Sequence, residues 1–240
     1  MDLKIKDVAE LLSVSETTIR RWLVGGKIPA YKLNHQYRFS RIEIENWMMS
    51  CKLQQEDFHP FGEEQQIYPL QQEEEDELPL TRAGTQQFSL FRALLKGDIL
   101  TEVPGTTKEE IIRSSMKIVA PKLGVDAELV AELLLDREKL ASTALNSGVA
   151  VPHPREFIFK GNVDRVVMAF PSQPVDFDSL DGEFVHTLFF LFSSQDKRHL
   201  HLLAKIAHLS SSRDSLKLLR SKPNKEEVLA FIKAWEGKLG

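Results

Sequence analysis

Apolar side chains near the start of the chain recur at the three- and four-residue spacing that is typical of amphipathic helices. Val8, Leu11 and Leu12 predict a first helix, which ends at the serine-rich residues 13–15. A second helix is predicted over residues 16–23, and its apolar positions face the first helix. The pattern therefore favours two short helices joined by a tight turn.

A hairpin pattern follows the second helix. Residues 28–33 and 37–39 flank a polar turn at residues 34–36, which predicts a short β-hairpin, or wing. A third helix is predicted just after the hairpin. Together these elements predict a small winged helix-turn-helix head over residues 1–50.

The next stretch, residues 51–86, has no apolar periodicity. It is rich in glutamine and glutamate and is interrupted by Pro60, Pro69 and Pro79. A segment of this composition buries too little apolar surface to offset the entropy lost on ordering. We therefore predict an acidic flexible linker.

Helical and strand-like patterns interleave in the rest of the chain, the body. Helices are predicted at residues 88–95, 107–119, 126–137, 197–209, 214–219 and 225–235, and strands at residues 149–151, 165–170 and 186–192. Such interleaving predicts an α/β sandwich with a mixed sheet over residues 87–240. The whole chain is accordingly expected to be of mixed α+β / α/β class.

Composition supports a globular protein in a reducing compartment. The 240 residues are 42% hydrophobic, which is enough for one or two cores. Cys51 is the only cysteine, so no intrachain disulfide is available. The N-terminus lacks the apolar stretch of a signal peptide, and no apolar run has the length of a membrane span. We expect a cytoplasmic protein with no membrane insertion.

Charge is unevenly distributed. Residues 1–52 carry nine Lys or Arg against six Asp or Glu, whereas residues 53–84 carry one against nine. A net charge of about +3 is low for a head that binds nucleic acid alone. A homodimer would bring two heads together and so supply more positive charge and a larger contact area. We therefore include a homodimer among the expectations.

A histidine lies between two prolines at the end of an apolar, β-branched run. Pro152 and Pro154 restrict the backbone on both sides of His153, so the ring is held on a stiff strand end or turn. An imidazole with a pKa of about 6.5 is partly neutral near physiological pH, so it can attack as a nucleophile and form a phosphoramidate. This chemistry suits a phosphoryl relay, but on chemistry alone a rigid surface turn that happens to contain histidine is the commoner case.

Four segments of the head, in order, carry a resemblance to known DNA-binding domains. They are VAELL at 8–12, TIRRW at 18–22, GKIPA at 26–30 and YRF at 37–39. This block resembles the winged helix-turn-helix of the excisionase and MerR-like families, which implies DNA binding. The implied DNA contacts are Thr17, Thr18, Arg20, Arg21, Lys27, Lys32, His35 and Arg38. The alternative is a protein-binding module whose charges are merely solvated.

Four motifs of the body carry a second resemblance. They are DREKLAST at 136–143, GVAVPH at 148–153, LDG at 180–182 and HLHLLAKIA at 199–207. In this order they resemble the fructose/mannitol-type IIA domain (IIA type 2) of the bacterial phosphotransferase system, including its nitrogen-regulatory branch. The resemblance implies the IIA type 2 fold and a phosphohistidine intermediate.

The resemblance also implies roles for three residues. His153 would accept a phosphoryl group from an HPr-type carrier, Arg137 would pair with the phosphoryl oxygens, and His199 would lie beside the nucleophile. Neither a cofactor nor a metal ion is expected. Arg137 as an ordinary helix-terminal cation and His199 as a solvated helix-start residue remain alternatives. The chain departs from the family pattern before His153, where Gly148 remains but other glycines are absent.

Three hypotheses follow for the whole chain. In the first, a IIA phosphotransferase domain reports the phosphorylation status of the relay to a DNA-binding head that regulates transcription. In the second, the body is a non-catalytic interaction module that binds a partner such as a kinase or a channel. In the third, it is a sugar-uptake component that passes phosphate to a IIB partner.

Overall fold

The computed structural model describes residues 2–12, 14–33, 36–51, 89–158 and 163–238. His35 and all of the predicted linker beyond Cys51 lie outside the described residues. Side chains are described for these ranges except Asp2, Ser50 and Cys51. No helix in these ranges has both the length and the apolar character needed to cross a lipid bilayer.

The head contains the predicted helices and hairpin. Its elements are β1 (Asp2–Leu3), α1 (Ile5–Leu12), α2 (Glu16–Val24), β2 (Tyr31–Leu33), β3 (Gln36–Ser40) and α3 (Arg41–Cys51). The Ser15 hydroxyl accepts a hydrogen bond from the Thr18 amide and so caps the start of α2. Strands β2 and β3 form the predicted hairpin, and β1 pairs on the other side of β3. Helix α3 begins at Arg41, the residue that follows the end of β3.

The body alternates helices and strands, as the apolar pattern predicts. Its elements are α4 (Ser89–Leu95), β4 (Ile99–Val103), α5 (Lys108–Leu123), α6 (Ala127–Glu138), β5 (Ala144–Leu145), β6 (Val149–Ala150), β7 (Arg165–Pro171), β8 (Thr187–Phe192), α7 (Asp196–Leu209), α8 (Arg213–Arg220) and α9 (Lys225–Gly237). Side chains of Thr107 and Asp126 cap the starts of α5 and α6. Strands β4 and β5 are additions to the sequence prediction.

Five strands form one mixed sheet in the order β4-β7-β8-β6-β5. The central pair β7 and β8 is antiparallel, while β4 joins β7 and β6 joins β8 in parallel. Every residue of β8 is buried, because helices cover both faces of the sheet. The predicted fold class, a helical head followed by a sandwich with a mixed sheet, is confirmed.

Alternate residues of β7 contribute to two separate cores. Val166 and Met168 face a core built with α4, α7, α8 and α9. Val167 and Ala169 face the opposite core, which α5 and α6 complete. Two covered faces explain why the strand is a continuous apolar run and not an alternating one.

The head packs against the body through α1, α3 and α7. Leu200 and Ala204 of α7 belong to the hydrophobic core of the head. Met49 of α3 belongs in turn to a core of the body. The two domains thus share apolar contacts, and we call this arrangement docked.

Candidate active site

His153 follows β6 in an irregular segment at the edge of the sandwich core. Its Nδ1 atom lies 2.7 Å from the Val151 carbonyl oxygen, which fixes Nδ1 as the protonated nitrogen and leaves the Nε2 lone pair for chemistry. The residue is 0% exposed, so the alternative of a surface turn is wrong. Helix α3 of the head covers it.

His199 lies in the first turn of α7, and its ring meets the His153 ring edge to face. The ring centroids are 4.8 Å apart, and Nδ1 lies 3.2 Å from the Ser193 hydroxyl. The residue is 1% exposed, so the alternative of a solvated helix-start residue is also wrong. Burial lowers the pKa of His199 to about 3, which keeps the ring neutral.

A carboxylate that the sequence analysis did not identify lies between the two imidazoles. Glu45, from α3 of the head, places Oε2 3.4 Å from His153 Nε2 and Oε1 2.9 Å from His199 Nε2. The contact with His199 is close in distance but poorly aligned, since this nitrogen has no hydrogen-bond partner among the described residues. Arg41 Nε donates to Glu45 Oε1 at 2.7 Å.

The Glu45 carboxylate is charged although it is 2% exposed. Burial alone would raise its pKa, but the contacts with His153 and His199 outweigh burial and hold the pKa of Glu45 well below its usual range. Arg41 adds a permanent cation at contact distance. Nothing in the sequence marked Glu45, because a glutamate on a short amphipathic helix is normally solvated.

Arg137 is in the last turn of α6 and is 1% exposed, so the alternative of an ordinary helix-terminal cation is wrong. It donates hydrogen bonds to the Ala141 carbonyl at 3.0 Å and to Asn46 Oδ1 of the head at 3.1 Å. Its Nε atom is buried with no partner in the described ranges. Burial lowers the pKa of Arg137, and the nearby Glu45 and Glu138 carboxylates partly oppose that effect.

Gly148, the glycine that remains before His153, is at a position that requires glycine. Its φ is +74°, and an added Cβ atom would lie 2.5 Å from His186 Cδ2. Ala141, Ala144 and Asn146 stand where the family pattern has glycines, so this chain carries side chains at those three positions. The turn before His153 therefore keeps the glycine that its backbone conformation and close contacts require.

Glu45, His153 and His199 together offer three ligand atoms within 4.8 Å of one another, a spacing that could hold a metal ion. Two imidazoles and a carboxylate are ligands that zinc accepts. The Arg41 guanidinium competes for the same carboxylate oxygen, since its Nε lies 2.7 Å from Oε1. A fixed cation at this distance disfavours a second one.

The described candidate DNA contacts lie on α2, in the turn that follows it and on the hairpin strands, whereas α1 and α3 pack against the body. Thr17, Arg20, Arg21, Lys27 and Lys32 are exposed. Several of these side chains have local partners, including Lys32, whose Nζ lies 5.1 Å from the centroid of the Tyr37 ring. Arg20 pairs with Glu16 at 3.6 Å, Thr18 contacts the Ser15 cap, and Arg38 donates to Gln36 and to the Tyr37 carbonyl. Docking therefore leaves the predicted DNA-binding face open to solvent.

Two protein-family models match the chain. Residues 93–235 match the family described as phosphoenolpyruvate-dependent sugar phosphotransferase system, EIIA 2. Residues 3–52 match a helix-turn-helix domain. The two matches fall on the body and on the head.

Individual relatives agree with the family match. The nitrogen regulatory protein of Pseudomonas aeruginosa is 35% identical over 146 residues, which are 60% of this chain and 94% of that protein. That of Escherichia coli is 30% identical over 135 residues, covering 55% of this chain and 81% of that protein.

A solved structure supports the same assignment. The nitrogen regulatory protein IIA-Ntr of Neisseria meningitidis superimposes with a TM-score of 0.54 at 28% identity, covering 60% of this chain and 99% of that one. The chain therefore belongs to the phosphotransferase system EIIA 2 family, is of the nitrogen-regulatory type, and carries an amino-terminal helix-turn-helix domain.

Proposed function

We propose that the body is a phosphocarrier that accepts a phosphoryl group on His153 Nε2 from the phosphohistidine of an HPr-type carrier protein. The observation that carries the proposal is the buried pair of His153 and His199, whose ring centroids are 4.8 Å apart. A sulfur- or hydroxyl-based nucleophile is not needed, because a neutral imidazole is itself nucleophilic.

The transfer would be a displacement at phosphorus. The Nδ1–H group of His153 donates a hydrogen bond to the Val151 carbonyl and keeps its proton, so the Nε2 lone pair is free to attack. This lone pair forms the new N–P bond, while the electron pair of the broken N–P bond returns to the carrier imidazole. No metal ion and no external base enters the balance.

Arg137 and His199 would position and neutralise the transferred group. A guanidinium presents a planar fork of donors that fits phosphoryl oxygens, and the buried Nε atom of Arg137 is available for one of them. When the Ser193 hydroxyl donates to Nδ1, the neutral His199 ring carries its proton on Nε2, and this nitrogen can donate to a phosphoryl oxygen when Glu45 is absent. Ser193 holds the other side of this ring.

The head would bind DNA through α2 and the hairpin, so that the chain acts as a regulatory protein. Its support is the helix-turn-helix match and the exposure of Arg20, Arg21 and Lys32 to solvent. A homodimer remains part of this proposal, because the head carries a low net charge for a reader of DNA.

A second candidate function is a non-catalytic module that regulates a partner protein such as a kinase or channel. One observation favours it: His153 is 0% exposed beneath α3, so no carrier can reach it in the docked arrangement. Transfer to a IIB partner in sugar uptake is the remaining alternative.

Intact-protein mass spectrometry tests the proposal. The full chain is incubated with phosphoenolpyruvate, enzyme I and an HPr-type carrier, beside the variants His153→Ala and His208→Ala. We expect one acid-labile phosphoryl group on wild type and on His208→Ala, whose ring contacts Trp235 away from the site. No gain by wild type or by Glu45→Ala, which lacks the carboxylate facing His153 Nε2, with any cognate carrier would reject the phosphocarrier function and favour the second candidate.

A further inference from the structure

We propose that α3 of the head is a plug for the phosphorylation site and that phosphorylation of His153 expels it. In this proposal Glu45 and Asn46 occupy the places that phosphoryl oxygens would take. Docking of the head and phosphorylation of His153 then exclude each other. The inference rests on the proposed function of His153 as the acceptor.

The Glu45 carboxylate blocks the nucleophilic nitrogen. Its Oε2 atom lies 3.4 Å from His153 Nε2, on the side of the ring where the lone pair points. A phosphorus atom bonded to Nε2, with its three oxygens, cannot fit between these two atoms. In-line attack also requires the donor phosphohistidine to approach from the side that α3 covers.

Asn46 blocks the anion-binding side chain in the same way. Its Oδ1 atom accepts a hydrogen bond from the Arg137 guanidinium at 3.1 Å. Consecutive residues of α3 thus place a carboxylate against the two imidazoles and an amide oxygen against the arginine. Helix α3 supplies the oxygen acceptors that a phosphoryl group would otherwise supply.

The plug is held by a charged rim around an apolar centre. Arg41 Nη1 donates to Asp196 Oδ1 of α7 at 2.9 Å. Lys197 Nζ of α7 forms a salt bridge with Asp7 Oδ1 of α1 at 2.7 Å. Leu200 and Ala204 of the body complete the apolar core of the head. Removing one contact inside the site would therefore weaken docking without removing the whole interface.

Phosphorylation reverses the electrostatics around Glu45. In the unmodified protein, the Arg41 guanidinium donates to the carboxylate, and the two imidazole rings lie against it. A phosphoryl group on His153 adds between one and two negative charges at contact distance from a buried anion. Repulsion in a weakly solvated site and direct overlap both oppose docking.

The consequence is a reciprocal switch between two states. The docked state keeps His153 from the carrier, and the phosphorylated state keeps the head away from the body. Because the two events exclude each other, any agent that favours release of the head also favours phosphorylation. The position of the head, docked or released, therefore indicates whether His153 carries a phosphoryl group.

Small-angle X-ray scattering of the full chain, with EDTA present to exclude metal bridging, tests the plug. Samples are unphosphorylated protein and protein whose phosphorylation is verified by mass. We expect the radius of gyration and the maximum dimension to increase on phosphorylation. The isosteric pair His153→Asp and His153→Asn provides a carrier-independent comparison, and only the charged variant is expected to expand. Circular dichroism checks that both variants fold.

The outcomes separate the two proposals. Full phosphorylation with unchanged dimensions would overturn the plug and leave the phosphocarrier function intact. Expansion of His153→Asp alone, with no phosphorylation of wild type or of Glu45→Ala by any carrier, would support the plug and reject the phosphocarrier function. Equal dimensions for both variants, when both fold as wild type does, would overturn the plug.

Discussion

The Arg137 side chain meets an oxygen of its own domain and an oxygen of the head. In the docked state Asn46 takes one of its donors, and in the proposed phosphorylated state phosphoryl oxygens replace Asn46. This exchange depends on the planar fork of arginine, which a lysine ammonium cannot reproduce.

Replacing Arg137 by lysine is therefore expected to slow phosphoryl transfer from the carrier by about 10- to 100-fold, the range for losing one charged hydrogen bond. Quench-flow measurement of the transfer rate checks this. Arg113→Lys is the matched control, since Arg113 is half-buried between α5 and α6, where it pairs with Glu109, Glu128 and Glu132, and its replacement is expected to keep the rate. An unchanged rate for Arg137→Lys would contradict the assigned role.

His186 contacts the Gly148 turn before His153 and gives the stability of the protein a dependence on pH. Burial lowers its pKa below 6.5, with help from the nearby Arg220 cation, while the Ser147 carbonyl and Glu183 oppose the shift. The unfolded chain therefore binds a proton at higher pH than the native protein does, so the native state loses stability as pH falls through 6.5.

We expect the free energy of unfolding, measured with urea, to fall between about pH 7.5 and pH 5.5, and to fall less steeply for His186→Gln. Comparing the two slopes isolates His186 from other buried histidines, which contribute equally to both proteins. Identical slopes would show that His186 has no lowered pKa in the native state.

Residues in motifs were predictable from the sequence, and residues in long-range contacts were not. His153, Arg137 and His199 stand in short patterns that resemble a known family, and the structure brings them to one site. Glu45 is 108 residues from His153 and is surrounded by ordinary helix residues. Only the docked arrangement of the head reveals it.

At the scale of elements, the strength of the local hydrophobic pattern determined which strands could be predicted from the sequence. Strands β7 and β8 are long apolar runs, because both faces of the sheet are covered. Strand β4 was missed, since its five residues mix buried and exposed positions directly after a helix. Its partner β7 fixes it in place, and pairing partners are not visible in a local pattern.

The turn between α4 and β4 provides a stability prediction. A Cβ atom on Gly97 would lie 1.8 Å from the Val166 carbonyl oxygen of β7, so Gly97→Ala must displace backbone. We expect a loss of at least about 2 kcal/mol in urea unfolding. Gly237→Ala is the control, because its Cβ would meet nothing within 4 Å at the end of α9. Equal stability of the two variants would contradict the close packing of this turn.

Helix α2 carries the prediction for DNA. Replacing Arg20 and Arg21 by alanine is expected to weaken binding to a non-specific duplex at low salt and to reduce the salt dependence by about two phosphate contacts. Fluorescence anisotropy at several salt concentrations measures both. The double variant Lys117→Ala and Lys122→Ala removes equal charge from α5 of the body, and equal effects of the two double variants would argue against α2 as the contact.

At the scale of the whole molecule, α7 has two apolar sides. Leu202, Leu203 and Ile206 pack into the body, whereas Leu200 and Ala204 pack into the head. The sequence shows one amphipathic helix and gives no sign that its second side has a separate partner. Placing the head on the body needs the three-dimensional arrangement of both surfaces, which periodicity does not contain.

The most direct test of the account compares initial rates of phosphorylation by an HPr-type carrier for the full-length wild type and for Glu45→Ala. Removing the carboxylate takes away the group that blocks His153 Nε2 and leaves His153, His199 and Arg137 in place. The account predicts a rate at least about tenfold higher for Glu45→Ala, which corresponds to about 1.4 kcal/mol in the docking equilibrium. Equal rates, or a slower rate for Glu45→Ala, would contradict the claim that the head closes the phosphorylation site.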